Sequence, residues 1–162
     1  MIEEKVVAEL TRRNLTITTA ESCTGGLIAA TLVNVSGASQ VLNEGYITYS
    51  NEAKERLLNV SKEVLQEYGA VSRQVAEQMA QGAARAAGAD VALAATGIAG
   101  PDGGTPGKPV GLVYIGCYMN GRTIVQENHF KGSRAEVRRQ TVDAALALLL
   151  GCMDEVFGVG NE

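Results

Sequence analysis

The spacing of hydrophobic positions predicts an alternation of helices and strands in the first third of the chain. Apolar residues recur at helical intervals over residues 2–13, and the β-branched stretch "LTITTA" at 15–20 is typical of a strand. "LIAATLVNV" at 27–35 is apolar nearly all round, which predicts a buried helix with Gly37 near its C-terminal cap. "VLNEGYITYS" at 41–50 predicts a second strand with a glycine bend.

Polar residues that can cap helices divide the middle of the chain. Asn51 is positioned to cap a helix over "EAKERLLNV", and Ser61 begins another short helix. Ser72 caps a longer helix that ends at Gly88. The apolar run "DVALAAT" at 90–96 then predicts a buried strand.

The last third combines a loop, a hairpin and a long helix. Residues 97–109 contain five glycines and three prolines and form a loop by composition. The "NG" pair at 120–121 is a strong hairpin signal, and Ser133 with Glu136 predicts a capping box at the start of the longest helix. The element order predicts a single α/β domain over 1–162, with a mixed β-sheet flanked by helices.

Composition limits the classes of function. The chain has 162 residues, 46% hydrophobic content and a net charge of −4, which favours one packed domain and argues against a nucleic-acid-binding surface. No apolar run approaches the ~20 residues of a membrane-spanning helix. An odd number of widely spaced cysteines indicates reduced thiols in a cytoplasmic protein: Cys23, Cys117 and Cys152.

Candidate chemistry begins at "TTAESCTGG", residues 18–26, where a predicted strand turns into a predicted helix. Ser22 at such a turn is exposed at the sheet edge, and the N–H groups after it could stabilise an oxyanion or bind a phosphate. The alternative is that Ser22 or Thr24 is an ordinary helix N-cap. Cys23 could have a lowered pKa at a helix start, but packing beneath the turn is the more common role.

A nucleophilic serine needs a base, and the chain offers few. The single histidine, His129, lies in a strand-like stretch and is more typical of a structural histidine. Lys54 lies near a predicted helix start, where the helix dipole and desolvation would lower its pKa as a base requires. The alternative is an exposed lysine paired with Glu52 or Glu55. Tyr49, five residues earlier, could relay or orient a proton.

Other ligand signals are weak. The histidine and the scattered carboxylates have no metal-ligand spacing, and Asp102 is typical of an Asx-turn in its glycine loop. Neither a Walker A loop nor a dinucleotide fingerprint is present. Arg134 and Arg138 lie four residues apart on one helix face, where they could meet an anion or simply form a solvated basic surface.

Several stretches together resemble one family. "TAESCTGG", "GYITYSNEAK", "GAVS", "TGIAGPDGGTPGKPVGLVYI" and "VRRQT" are similar, in register from about residue 5 to 150, to the nicotinamide-nucleotide amidohydrolase family, also known as the C-terminal domain of CinA proteins. The resemblance implies an α/β fold, hydrolysis of nicotinamide mononucleotide to nicotinate mononucleotide and ammonia, and a serine-lysine mechanism without cofactor or metal. CinA proteins usually carry a further N-terminal domain, so the resemblance implies the stand-alone form.

The resemblance also assigns roles to residues. Ser22 would be the nucleophile and Lys54 the base, with Tyr49 beside it. The remaining site residues are the oxyanion donors and the substrate contacts: Cys23 and Thr24 for the oxyanion, and Gly25, Gly26, Thr96, Gly97, Gly100 and Arg138 for the substrate, with the 97–104 loop and Arg138 as candidates for its phosphate.

Two other classes of function remain open at the level of sequence. One is a non-catalytic nucleotide-binding or regulatory module that uses the same loops without turnover. The other is a thiol-based redox protein that uses Cys23. The partner expected in the enzymatic case is nicotinamide mononucleotide, with no nucleic acid or membrane, and a homo-oligomer is left open.

Overall fold

A mixed five-stranded sheet forms the centre of the protein, which the computed structural model describes from residue 1 to 158. The strand order is β2-β1-β3-β4-β5, parallel from β2 through β3 and antiparallel from β3 through β5. This confirms the predicted α/β class, although the last four residues of the predicted 1–162 domain lie outside the described part. The strands are β1 (Ile17–Glu21), β2 (Tyr46–Ile47), β3 (Val91–Gly97), β4 (Leu112–Met119) and β5 (Arg122–His129).

In the described part of the chain, six α-helices cover the two faces of the sheet and make a three-layer arrangement. α1, α2 and α6 pack on one face, and α3, α4 and α5 form the layer on the other, each over its own hydrophobic cluster. The helix-sheet-helix sandwich buries β1 and β3 on both sides, which explains why their sequences lack polar alternation. The helices are α1 (Ile2–Arg12), α2 (Leu27–Val33), α3 (Asn51–Leu58), α4 (Lys62–Tyr68), α5 (Arg73–Ala87) and α6 (Arg134–Phe157).

Local signals in the sequence set most element boundaries. The hydroxyls of Ser61, Ser72 and Ser133 each accept a hydrogen bond from a first-turn N–H, as predicted, and the capping box at Ser133 is complete. In the hairpin turn, Asn120 and Gly121 have φ values of 54° and 75°. Two consecutive positive φ angles are what a tight hairpin turn requires, so the "NG" prediction is confirmed.

The predicted strand at 41–50 is largely wrong. Only Tyr46–Ile47 pairs with β1, and upstream of it Leu42 makes one isolated bridge to Ile17. The hydroxyl of Thr18 donates to the main-chain oxygen of Glu44 at 2.8 Å, so a side chain satisfies a carbonyl that a continuous strand would use in the sheet.

Two predicted caps are also wrong. Ser50, not Asn51, caps α3, because Ser50 has an extended backbone and accepts from the N–H of Ala53 at 3.1 Å while Asn51 is already helical. α2 ends at Val33, and Gly37 instead precedes a short 3₁₀ turn. Within residues 1–158, no helix has both the length and the apolar character needed to cross a bilayer.

Candidate active site

A cavity opens at the carboxyl ends of two neighbouring parallel strands, β1 and β3. Its volume is about 190 Å³. Ligand sites of open α/β sheets lie at this edge, so the topology brings together the two loops that the sequence singled out. The lining residues come from the turn after β1, from β2–α3, from the α4–α5 connection, from the loop after β3 and from α6: Ser22, Cys23, Tyr49, Lys54, Ala70, Val71, Thr96, Gly97, Ala99 and Arg134.

A buried carboxylate fixes the turn that carries the serine. Glu21, the last residue of β1, is 1% exposed and accepts from the N–H of Ile28 at 2.8 Å and of Ala29 at 3.0 Å. A carboxylate is a favourable partner for a helix N-terminus, and it satisfies N–H groups that Ser22 or Thr24 was predicted to cap. That N-cap alternative is therefore wrong, and the hydroxyl of Ser22 is free for another partner.

Lys54 is that partner. Its side chain is 1% exposed, and its Nζ lies 3.0 Å from Ser22 Oγ, 2.7 Å from the main-chain oxygen of Thr48 and 3.4 Å from that of Tyr49. Burial lowers its pKa to about 8, because a desolvated ammonium loses the hydration that stabilises its charge. The alternative of an exposed, carboxylate-paired lysine is wrong.

Three oxygen atoms surround Nζ, and it can donate to all of them as an ammonium. A neutral lysine has two N–H bonds and one lone pair, whereas the ammonium has three N–H bonds and none. The two carbonyls, of Thr48 and Tyr49, can only accept, so they take two N–H bonds. In the ammonium form the third N–H donates to Ser22 Oγ at 3.0 Å, and in the neutral form the lone pair that points in this direction can accept the Ser22 proton. A serine nucleophile and its base would need an arrangement of this kind.

The main chain after Ser22 supplies free donors. Among the described residues, the N–H groups of Cys23 and Thr24 have no acceptor, which suits donors for an oxyanion. Gly25 and Gly26 follow with φ values of +57° and +103°, which side chains rarely adopt. Arg138 reaches the outside of this turn, with Nε 3.1 Å from the Cys23 oxygen and an NH2 nitrogen 2.9 Å from the Thr24 oxygen. It does not line the cavity.

The thiol of Cys23 is buried rather than reactive. Its side chain belongs to the hydrophobic cluster under α1, α2 and α6. Burial raises the pKa of the thiol to about 11, so the thiolate that redox chemistry needs is scarce at neutral pH. This supports packing as the role of Cys23 and removes the basis for a thiol-redox function.

The loop after β3 and the start of α6 form the opposite wall. Thr96 and Gly97 line the cavity, and the Thr96 hydroxyl donates to a main-chain oxygen of the α4–α5 connection at 2.8 Å. Gly100 contributes its main-chain oxygen to Arg134, at 3.0 Å, rather than to the lining. Arg134 also lies 3.3 Å from the hydroxyl of Tyr49, which is 64% exposed. Tyr49 therefore meets Lys54 through its main-chain oxygen only.

The other candidate groups lie outside the cavity. His129 is an exposed residue of β5 whose Nε2 is 2.9 Å from a carboxylate oxygen of Glu127, so it is not available to Ser22. Asp102 is exposed in the glycine-rich loop. Across residues 1–158, histidine, cysteine and carboxylate side chains nowhere gather in a group of three that could hold a metal ion.

Solved structures with the same architecture are CinA superfamily proteins. The competence/damage inducible protein CihA from Agrobacterium tumefaciens is 44% identical, with a TM-score of 0.91, covering 93% of this chain and 92% of that one. A CinA superfamily protein from Klebsiella pneumoniae 700603 is 36% identical with a TM-score of 0.92, covering 95% and 96%. The fold thus defines an α/β protein of the CinA superfamily type.

Sequence comparison names the family directly. The CinA C-terminal domain matches residues 1–153, so the chain belongs to the CinA C-terminal domain family. A CinA-like protein from Kosmotoga olearia is 54% identical over 145 residues, which are 90% of this chain and 35% of that protein. The chain spans about a third of the length of the curated relatives it matches.

Proposed function

We propose that this protein hydrolyses the carboxamide of nicotinamide mononucleotide, giving nicotinate mononucleotide and ammonia. The observation that carries the proposal is the contact between Ser22 Oγ and a buried Lys54 whose pKa is lowered, at the wall of a cavity. A serine in contact with a lysine of lowered pKa, beside main-chain N–H groups that have no acceptor among the described residues, is suited to acyl transfer. The choice of this amide follows the family resemblance.

Acylation begins when Lys54 takes the proton of Ser22 as Oγ attacks the carboxamide carbon. The N–H groups of Cys23 and Thr24 would stabilise the negative charge that develops on the carboxamide oxygen. As the C–N bond breaks, the lysine ammonium returns a proton to the leaving nitrogen, and ammonia departs. The Tyr49 hydroxyl, held by Arg134, is placed to orient the substrate rather than to carry this proton.

Deacylation repeats the same proton transfers with water. Lys54, neutral again, takes a proton from a water molecule that attacks the acyl carbon, and the protonated amine then gives that proton to Ser22 Oγ as the ester bond breaks. The products are free enzyme and nicotinate mononucleotide. Lys54 therefore has to gain and lose a proton twice in each turnover, which a pKa of about 8 permits near neutral pH.

The size of the cavity suits one end of a nucleotide. Its volume of about 190 Å³ is below the ~300–1,000 Å³ of pockets that enclose a whole drug-sized ligand, so the pyridine carboxamide would enter while the ribose phosphate stays at the mouth. There, the Arg134 guanidinium and the 97–104 loop are our candidates for the phosphate.

Unpaired, buried thiols support the cytoplasmic location that the sequence predicts.

Pure protein is expected to convert nicotinamide mononucleotide into equal amounts of ammonia and nicotinate mononucleotide. Both products should be quantified in one reaction, ammonia by an enzyme-coupled assay and the nucleotides by chromatography with mass detection. Nicotinamide without its ribose phosphate is the matched control, and it should react far more slowly because the contacts at the cavity mouth are lost. Binding of the nucleotide without ammonia release would favour the non-catalytic nucleotide-binding module instead.

The rate is expected to depend on deprotonation of Lys54. Because its pKa is lowered to about 8, kcat/KM should rise with pH along an acidic limb centred there and level off above it. Two pH units below that midpoint, kcat/KM should be about 100-fold lower, since only the neutral amine acts as base. The measurement is a pH series from 6 to 10 with His129→Ala as control. An acidic limb that disappears in His129→Ala would move the base to histidine.

A further inference from the structure

Arg138 makes contacts that are unusual for an arginine at the edge of a site. It projects from α6, is partly buried, and gives two hydrogen bonds to main-chain oxygens of the turn, those of Cys23 and Thr24. Within the described residues, no carboxylate lies within 4.0 Å of it as an ion-pair partner. Its charge is therefore directed at two peptide groups of the segment that follows Ser22.

The first of these hydrogen bonds orients the N–H of Thr24. In a trans peptide the C=O of one residue and the N–H of the next point in opposite directions. Because Arg138 Nε holds the Cys23 oxygen on the outer side of the turn, the N–H of Thr24 points away from the guanidinium. That N–H is one of the two donors without an acceptor among the described residues.

The second hydrogen bond orients the N–H of Cys23 through one intermediate step. Arg138 holds the Thr24 oxygen, so the N–H of Gly25 points the opposite way, and it donates to the Ser22 oxygen at 3.1 Å. Holding the Ser22 oxygen fixes the same peptide plane that carries the N–H of Cys23. The Thr24 oxygen also accepts from the N–H of Leu27 at 3.1 Å, so the guanidinium shares this second contact with the main chain, while among the described residues it is the sole side-chain donor to both oxygens.

From this geometry we infer that Arg138 is a positioning residue: it holds the turn after Ser22 so that the main-chain N–H groups of the oxyanion site point correctly, and it does not bind the substrate phosphate. The inference rests on the proposed function for its chemical meaning. The cation also polarises the two peptide groups it contacts, which strengthens their N–H groups as donors. The side chain acts through main-chain atoms, 114 and 115 residues distant in sequence.

The two roles for Arg138 differ in kinetics. A phosphate ligand contributes to substrate binding, so its loss raises KM for the nucleotide and has little effect on a substrate without phosphate. A residue that positions the oxyanion site contributes only when charge develops in the transition state, so its loss lowers kcat. The factor should be the same for substrates with and without a phosphate group. Comparison of nicotinamide mononucleotide with nicotinamide riboside separates the two.

Arg138→Met is the informative variant, since it keeps the apolar stem and removes the two donors. Its kcat should be about 100-fold lower, the scale of losing or misplacing an oxyanion donor, with KM nearly unchanged. The fold loss should be equal for the mononucleotide and the riboside. Arg139→Met is the matched control: the neighbouring residue on α6 is exposed, pairs with Asp143 at 3.3 Å, and should leave both constants unchanged.

Chemical rescue distinguishes positioning from a general loss of structure. Guanidinium chloride at a sub-denaturing concentration should restore part of kcat to Arg138→Ala but not to Ser22→Ala, because it can occupy the place of the lost side chain. An unchanged kcat in Arg138→Met, or a raised KM confined to the phosphorylated substrate, would overturn the inference.

A probe that bypasses nucleotide hydrolysis tests the oxyanion site even if the proposed substrate is wrong. A fluorophosphonate forms a P–O bond to Ser22 Oγ and loses fluoride, while the serine proton passes to Lys54; its phosphoryl oxygen occupies the oxyanion site. Labelling should be about 100-fold slower in Arg138→Met than in wild type or Arg139→Met. Slow labelling in that variant together with no ammonia release from wild type would refute the proposed function and sustain the inference; equal labelling rates would refute the inference alone.

Discussion

Replacing Ser22 by alanine is expected to abolish ammonia release, with kcat falling by about 10⁴-fold or more, as when a serine hydrolase loses its nucleophile. The hydroxyl supplies the atom that attacks the carboxamide, and among the described residues that line the cavity it is the nucleophile that is hydrogen-bonded to Lys54. The measurement is the steady-state rate of ammonia production from nicotinamide mononucleotide, with the circular dichroism spectrum and thermal midpoint compared with wild type.

The neighbouring cysteine provides the matched control for Ser22→Ala. Cys23→Ala removes one buried sulfur from the cluster beneath the turn, so it should lower stability by about 1–2 kcal/mol while most turnover remains. Alkylating reagents should likewise leave the wild-type rate nearly unchanged, because the thiol is buried and its pKa is raised to about 11. Wild-type ammonia release by Ser22→Ala, or its loss in a folded Cys23→Ala, would contradict the serine mechanism.

Replacing Lys54 is expected to lower activity by a similar factor, whether or not the new side chain carries a charge. Lys54→Met keeps the length of the side chain and removes the base, and Lys54→Arg keeps the charge but cannot release its proton. Each should lower kcat/KM by about 10³-fold or more, because Ser22 would have to attack without proton transfer to a base. The rates should be measured at the pH optimum of the wild type. An active Lys54→Arg would refute the serine-lysine pair.

The change that Lys54→Met causes in the free energy of unfolding should have a sign that depends on pH. The folded-state pKa of about 8 is below the unfolded value near 10.5, so the unfolded chain binds the proton more tightly and this group destabilises the fold as pH falls from 10.5 to 8. Below pH 8 the penalty is constant at about 3 kcal/mol, at 1.36 kcal/mol per pKa unit. The methionine variant avoids it but leaves two carbonyls without their donor, at about 1 kcal/mol each.

The variant should therefore be more stable than wild type at pH 7 by about 1 kcal/mol and lose that advantage above pH 10.5, where the wild-type lysine is neutral in both states. Urea unfolding at the two pH values measures the crossover. A methionine variant that is equally destabilised at both pH values would show that burial of this amine carries no protonation penalty.

Local signals in the sequence predicted the elements that local interactions determine. Ser72 and Ser133 cap their helices, and the "NG" pair forms its hairpin, because capping and turn formation depend on residues three or four positions apart. The strand expected at 41–50 failed for the opposite reason. Its pairing depends on β1, and a hydroxyl of that strand takes one of the main-chain groups that sheet pairing would use.

Within the site, the sequence indicated which residues are chemically suitable but not which direction their side chains take. Arg134 and Arg138 lie on one face of α6 as predicted. Arg134 lines the cavity, whereas Arg138 binds main-chain oxygens on the outer side of the turn after Ser22. Desolvation was expected to lower the pKa of Lys54, but the extent of its burial, the largest cause of the shift, comes from packing of α3 against the rest of the fold, which its place near a helix start does not give. Glu21 was missed as the cap of α2, although a carboxylate directly before a strand-to-helix turn is the available signal.

Ser22 is expected to become covalently acylated by the carboxamide carbon of the substrate, with Lys54 as base. The most direct measurement mixes wild-type and Ser22→Ala protein with nicotinamide mononucleotide, quenches in acid within milliseconds, and follows the peptide that contains residue 22 by mass spectrometry alongside the ammonia released. The wild-type peptide should be heavier by the mass of the substrate minus that of ammonia, and the alanine variant should show neither the added mass nor the ammonia. Ammonia released at equal rates by both proteins, or acylation of a different residue, would refute acylation of Ser22.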